Sequence, residues 1–169
     1  KDKPLDDDDF LRNHWIMYFK YDRKEANAFA KFLLNKQFNA KNVVNDNSKI
    51  KIGLKEIKDY VNSLRESVKY WYYIFNPQQS DFNNKIKKWL LKFDRLGFSS
   101  FAPLFMAAMV NKIDYSSLQK LLEVAEKFNF LIFRVTGRPS NTKNSHFYRV
   151  ANELFKEPTT IDQVIDSIN

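Results

Sequence analysis

The sequence predicts an all-α fold, a single bundle of about seven or eight helices, from three observations. Apolar residues recur three or four positions apart along most of the chain. Only three glycines and five prolines interrupt its 169 residues, and 44% of the residues are hydrophobic, which is enough to bury one core. The one β-like run, residues 130–135, lacks a partner strand, so a helix is favoured there. We expect an acidic lead-in at 1–9 and one helical domain at 10–169.

The first helix is predicted where four aspartates, residues 6–9, run into apolar residues at helical spacing from Leu11 to Phe19. Carboxylates before or within a first turn accept hydrogen bonds from free backbone N–H groups and favour the positive end of the helix dipole. The alternative is a metal site, but sequence neighbours do not converge on one cation without a defined loop. A second helix is expected over 23–39, followed by a loop over 40–53 that is rich in Asn, Asp and Ser.

The clearest periodic segment is residues 54–75, which ends at Asn76-Pro77 because proline cannot continue a helix. Its apolar side chains lie three or four positions apart and are predicted to form one buried face. These side chains are Leu54, Ile57, Val61, Leu64, Val68, Trp71 and Phe75. The aromatic run from Tyr70 to Phe75 could also stack on unpaired bases, but consecutive rings point around a helix, so packing is favoured.

The later helices are predicted from caps and helix breakers. Residues 81–96 are expected to form a helix with Asp81 as its cap and Gly97 as its terminator. Pro103 fits the first turn of the next helix, which is predicted to be central because residues 104–110 are apolar on nearly all sides. The remaining helices are expected to begin at Asp114 or Ser116 and continue to about 133, and to cover 144–155 and 160–168.

The residues capable of chemistry do not form a recognised catalytic motif. The glycines are far apart, so no phosphate-binding loop is present, and the absence of cysteine excludes a thiolate zinc site. Asp46 with Glu56 and Lys58 imitates a metal-dependent nuclease, although Glu56 and Lys58 fall on a predicted helix rather than on adjoining strands. His14 and His146, the only imidazoles, belong to no metal-binding pair. We therefore expect no catalytic residue, no metal and no cofactor in this chain. The nuclease alternative predicts Mg²⁺-dependent cleavage that is lost on Glu56→Ala.

Positive charge is concentrated in two places. The net charge is +8, and because residues 1–9 hold two lysines and five aspartates, the remainder of the chain is more basic still. Four cations share one sector of the predicted helix 81–96, and residues 127–152 contain no acidic residue. The candidate phosphate contacts are Lys85, Lys88, Lys92, Arg95, Arg134, Arg138, Lys143 and Arg149. If the two groups share a surface, DNA or RNA binding is favoured, and if they oppose each other, the charges serve solubility.

Several segments resemble a known family. They are the sequence Asp-Asp-Asp-Asp-Phe-Leu-Arg-Asn-His-Trp-Ile-Met-Tyr-Phe, the Phe-Leu-Leu spaced before Gln-Phe, and residues 95–104 and 130–141. Together they resemble the helical region that follows the ParB-like N-terminal domain in GmrSD-type modification-dependent restriction endonucleases. The family's Asp-Gly-Gln-Gln-Arg motif and its His-Asn-His type nuclease domain are not in this sequence, so no catalytic residue is carried over.

The resemblance implies a helical middle domain of a bacterial DNA restriction or defence protein, which links or positions catalytic domains located elsewhere. Its expected partners are DNA and the neighbouring domains of the parent protein, with no membrane. The parent would be a nucleotide-dependent endonuclease in the cytoplasm, and the absence of cysteine is compatible with a reducing compartment. The alternative is a protein-protein docking module with no nucleic-acid role, acting through exposed aromatic residues.

Overall fold

A computed structural model describes residues 2–44, 52–96, 100–135, 137 and 143–168. Within these ranges the chain forms α-helices and no strands, which confirms the all-α bundle. The helices are α1 (Asp7–Tyr18), α2 (Arg23–Ala26), α3 (Phe29–Lys31), α4 (Ala40–Val44), α5 (Leu54–Phe75), α6 (Asn84–Leu96), α7 (Ala102–Val110), α8 (Tyr115–Asn129), α9 (Asn144–Lys156) and α10 (Ile161–Ile168). None of the helices in the described ranges is both long enough and apolar enough to cross a membrane.

Helix α7 is the centre of the fold, as its apolar composition predicts. Every residue from Ala102 to Met109 is buried, and the helix packs against α1, α5, α8 and α9. Aromatic rings fill the space around it: the Phe105 centroid lies 5.1 Å from that of Phe93, and the Phe101 centroid lies 4.4 Å from that of Phe147. Since α7 is covered on all sides, the surfaces available for function belong to the outer helices.

A second, smaller cluster joins α1, α5 and residues 29–38. Trp15 and Ile16 of α1 are fully buried in it, beside Tyr60 of α5. The Trp15 ring meets the Phe32 ring edge-on at 5.3 Å between centroids. This cluster holds the N-terminal third of the chain against α5.

The capping predictions are right at two sites and wrong at one. The Asp6 carboxylate accepts from the Asp9 backbone N–H at 2.9 Å, and Asp114 accepts from the N–H groups of Ser116 and Ser117. Asp81, however, is not a cap, because α6 begins only at Asn84. The Asn83 side chain caps that helix instead, accepting from the Ile86 N–H at 3.0 Å. The predicted terminator Gly97 lies outside the described residues.

The predicted helix over 23–39 is also wrong as a single element. The chain turns at residues 27–28, and residues 32–37 form a π-helix that ends with a hydrogen bond from the Phe38 N–H to the Leu33 carbonyl. Asn39 and Asn42 donate side-chain hydrogen bonds to carbonyls near the end of this segment, where the last carbonyls of a helix lack regular backbone donors. The predicted loop after it is also shorter than expected, because residues 40–44 are helical.

The long helix α5 is confirmed, but its buried face differs from the predicted one. The buried residues are Tyr60, Ser63, Ser67, Trp71 and Ile74. Of the predicted apolar face, Leu54, Val61 and Val68 are 67%, 54% and 47% exposed. Ser63 and Ser67 are buried, and Ser63 Oγ lies 2.9 Å from Nε2 of the buried His14 of α1. Part of the predicted apolar stripe faces solvent instead.

Candidate nucleic-acid interface

Helix α6 has one buried side and one cationic side. Ile86, Leu90 and Phe93 are fully buried against the core. The four predicted cations occupy an adjoining sector because they recur at intervals of three or four residues. We call this sector the α6 cationic face, and its residues are Lys85, Lys88, Lys92 and Arg95. Lys85, Lys88 and Arg95 are exposed, whereas Lys92 is partly buried at the boundary with α8.

The neighbouring acids neutralise only part of this charge. The Lys92 ammonium pairs with the Glu126 carboxylate of α8 at 2.7 Å, and it also lies 4.9 Å from the centre of the Trp89 ring. The one acidic residue of α6, Asp94, pairs with Lys3 at 2.7 Å. Among the described residues no ion pair engages the other three cations of the face. With respect to the described residues, the α6 cationic face therefore presents three unpaired positive charges and one that is paired.

The two described side chains of the second group, Lys143 and Arg149, line different clefts. Lys143 is exposed just before α9, with its ammonium 5.4 Å from the Phe128 ring centre. It lines an open cleft of about 150 Å³ together with Lys127. Arg149 is exposed on α9 and lines a different cleft. Arg134 belongs to the π-helix 130–135, but its side chain, like the whole of Arg138, lies outside the described residues.

Helix α8 separates the α6 cationic face from Lys143. Glu126 is on the flank of α8 that meets α6, as its ion pair with Lys92 shows. Val124, on the other flank of α8, lines the cleft that Lys143 and Ile168 also line. Because each residue turns an α-helix by about 100°, Val124 and Glu126, which are two positions apart, point about 160° apart around the axis of α8. Lys143 therefore lies on a different side of α8 from the α6 cationic face, and among the described side chains the α6 cationic face brings together four of the predicted residues.

The cleft at Arg149 includes cations that sequence reasoning missed. Its volume is about 540 Å³, and Arg149 shares it with Lys20 and Lys156. Lys156 lies seven residues after Arg149 on the same face of α9, a spacing that could have predicted the pairing. Lys20 follows α1, so only the fold brings it here. Glu153 and Glu157 also line this cleft and reduce its net charge.

The remaining candidates for chemistry are not assembled into a site. His14 is fully buried, and burial lowers its pKa to about 4, so it is neutral and inaccessible near neutral pH. Glu56 and Lys58 are exposed in the first turns of α5, and Asp46 lies outside the described residues. The described residues include no group of three or more histidine, aspartate or glutamate side chains placed to hold a metal ion.

The aromatic run at the end of α5 is packed. Trp71 is buried in the main core, and Tyr70, Tyr73 and Phe75 are partly buried against it. The Tyr72 hydroxyl donates to the Asp2 carboxylate at 2.6 Å. These rings cover the core and fix the N-terminal lead-in, so none is positioned as a free platform for a base.

Comparison of the chain with protein-family models, with curated proteins and with solved structures gave no match. The resemblance to the restriction endonucleases therefore stays a prediction from the sequence.

Proposed function

We propose that this chain is a non-catalytic helical domain of a bacterial DNA restriction or defence protein, which contacts nucleic-acid phosphates and positions catalytic domains located elsewhere. One observation supports the DNA contact most strongly: Lys85, Lys88 and Arg95 are exposed on one sector of α6 and have no ion-pair partner among the described residues. The link to restriction rests on the sequence resemblance alone.

The dimensions of the α6 cationic face suit a phosphate backbone. Lys85 and Arg95 are ten residues apart, which corresponds to about 15 Å along a helix. That length equals four or five base-pair steps of about 3.4 Å each. Long lysine and arginine side chains can adjust to phosphates within this span without reading the bases. The proposed contact is therefore to the backbone and independent of sequence.

The strength of such a contact should depend steeply on salt. Three neutralised phosphates give a slope of about −2.7 for the logarithm of the binding constant against the logarithm of salt concentration. The affinity for duplex DNA should then fall roughly 40-fold between about 50 and about 200 mM salt. A docking surface made of apolar residues would respond little, which distinguishes the alternative function.

The test compares two double variants with the same change in net charge. Lys85→Glu/Lys88→Glu alters the α6 cationic face and leaves the Lys92–Glu126 pair intact, while Lys31→Glu/Lys41→Glu alters exposed lysines of α3 and α4. In a titration with duplex DNA, the first variant should lose most of the affinity and flatten the salt slope, and the second should keep the slope. Equal losses in both would mean that net charge alone attracts DNA, and the proposal would be wrong.

A further inference from the structure

The outer side of α5 presents a row of aliphatic side chains to solvent. Leu54, Val61 and Val68 follow one another at intervals of seven residues and are 67%, 54% and 47% exposed. Ile57 and Leu64 lie between them and are partly buried. Exposed aliphatic residues are common singly, but a regular row along one helix marks an interaction surface.

The spacing indicates what kind of structure would cover this row. Apolar residues at alternating intervals of three and four form the seam with which one α-helix packs against another. From Leu54 to Val68 the row is about 21 Å long, which suits a partner helix of about four turns. Helix α5 is attached to the domain by the adjoining side, where Trp71 and Ile74 are buried in the core, and Leu64 packs against the smaller cluster. Leu54, Val61 and Val68 belong to neither cluster, so these three exposed side chains are not what attaches α5 to this domain.

The charges beside the row indicate the chemistry of the partner. Lys58 and Arg65 are exposed along one edge, within about 60° of the row around the helix axis. Neither takes part in an ion pair among the described residues. Measured from the centre of the row, Lys58 and Arg65 lie about 80° and about 60° away, whereas the acidic residues of α5 lie at least about 120° away. Among the described residues of α5, a helix that covers the row would therefore meet the positive charges of Lys58 and Arg65 at this edge.

A second copy of this chain fits the row poorly. An antiparallel pairing of two α5 helices centred on Val61 would place Lys58 of one copy near Arg65 of the other. Such a pairing brings the basic edges of the two copies together along one edge of the interface, where like charges are unfavourable. An acidic helix would replace this repulsion with attraction.

We propose that the α5 outer face, consisting of Leu54, Ile57, Val61, Leu64, Val68, Lys58 and Arg65, docks an amphipathic α-helix with acidic residues beside its apolar seam. The partner is a protein segment, so this inference goes beyond the DNA contact of α6 and does not depend on it. The apolar row supplies the binding area, and Lys58 and Arg65 select the charge of the partner.

The experiment uses the full chain and two labelled synthetic helices of about three heptads. Both have leucine at the seam positions, and they differ only in carrying glutamate or lysine at the flanking positions. In a fluorescence anisotropy titration at low salt, the glutamate helix should bind at least about tenfold more tightly than the lysine helix. Equal binding of the two helices, or binding of neither, would overturn the proposal.

Two sets of variants locate the contact. Lys58→Glu/Arg65→Glu should reverse the preference, so that the lysine helix binds more tightly. Val61→Ser/Val68→Ser should weaken binding of the glutamate helix by about tenfold or more. The control Leu34→Ser/Val135→Ser, which changes exposed aliphatic residues elsewhere, should leave this binding unchanged. Since all these side chains are exposed, the helical circular dichroism spectrum should be unchanged. An unreversed preference, or self-association that Val61→Ser/Val68→Ser abolishes, would contradict the proposal.

Discussion

Acidification is expected to destabilise this domain through one buried histidine. His14 has no exposed surface, and its ring stacks on Tyr18 at 5.6 Å and meets Tyr60 edge-on at 5.3 Å. Its Nε2 is hydrogen-bonded to Ser63 Oγ at 2.9 Å. Burial without a carboxylate partner disfavours the charged imidazolium, so the pKa of His14 falls from 6.5 to about 4.

The sign of the effect follows from proton binding. The unfolded chain takes up a proton at His14 as the pH falls through 6.5, whereas the folded chain does so only near 4. Between these values the unfolded state binds more protons, so the free energy of unfolding decreases as the pH falls. The contribution is fully present above 6.5, and its loss between about pH 7 and about pH 5 is about 2 kcal/mol. That is a large part of the ordinary stability of a small domain, about 5–15 kcal/mol.

The assay is urea unfolding followed by tryptophan fluorescence at about pH 7 and about pH 5. In His14→Gln the glutamine side chain can still hydrogen-bond to Ser63 but does not titrate. From about pH 7 to about pH 5, the free energy of unfolding of the wild type should therefore fall by about 2 kcal/mol more than that of the variant. The same loss in both proteins would refute the reasoning. If the variant does not fold, the imidazole resonances of His14 in the wild type should titrate near 4, and a midpoint near 6.5 for His14 would refute the reasoning equally.

Two further predictions concern caps and packing. Asp114→Ala should lower the free energy of unfolding by about 1 kcal/mol because two N–H groups lose their acceptor. Asp81→Ala should change this free energy by less than about 0.5 kcal/mol. Urea unfolding that ranks the two variants in the opposite order would contradict the assigned caps. Phe105→Ala in the central helix should lower the free energy of unfolding by about 3–5 kcal/mol. Phe130→Ala, at a residue that is 50% exposed, should lower it by less than about 1 kcal/mol. Similar losses in both variants would contradict the assigned core.

The long helices could be predicted because their apolar periodicity and their boundaries agree. Pro103 opens the central helix, Asp114 caps the next, and Asn76-Pro77 ends α5 where expected. Local rules failed where another residue competed for the same role. Asn83 replaces Asp81 as the cap of α6. The π-helix over 32–37 is a further departure, which the apolar spacing did not predict.

Which side of a helix faces the core was harder to predict than the helix itself. The apolar row of α5 indicated a buried face, yet three of its residues face solvent, whereas Ser63 is buried beside His14, which is 49 positions away in the sequence. The same limit applies to the candidate interface. The sector of Lys85, Lys88 and Arg95 follows from spacing within one helix, but the pairing of Lys92 with Glu126 requires the packing of α6 on α8.

The most direct test of the proposed DNA contact is an amide NMR titration of the full chain with a short duplex DNA at low salt. Binding through the α6 cationic face predicts the largest shift changes at residues 84–96, with those of α9 nearly unchanged, and reversal of the changes as salt is added. Shift changes centred on residues 144–156, or none at any residue, would contradict it.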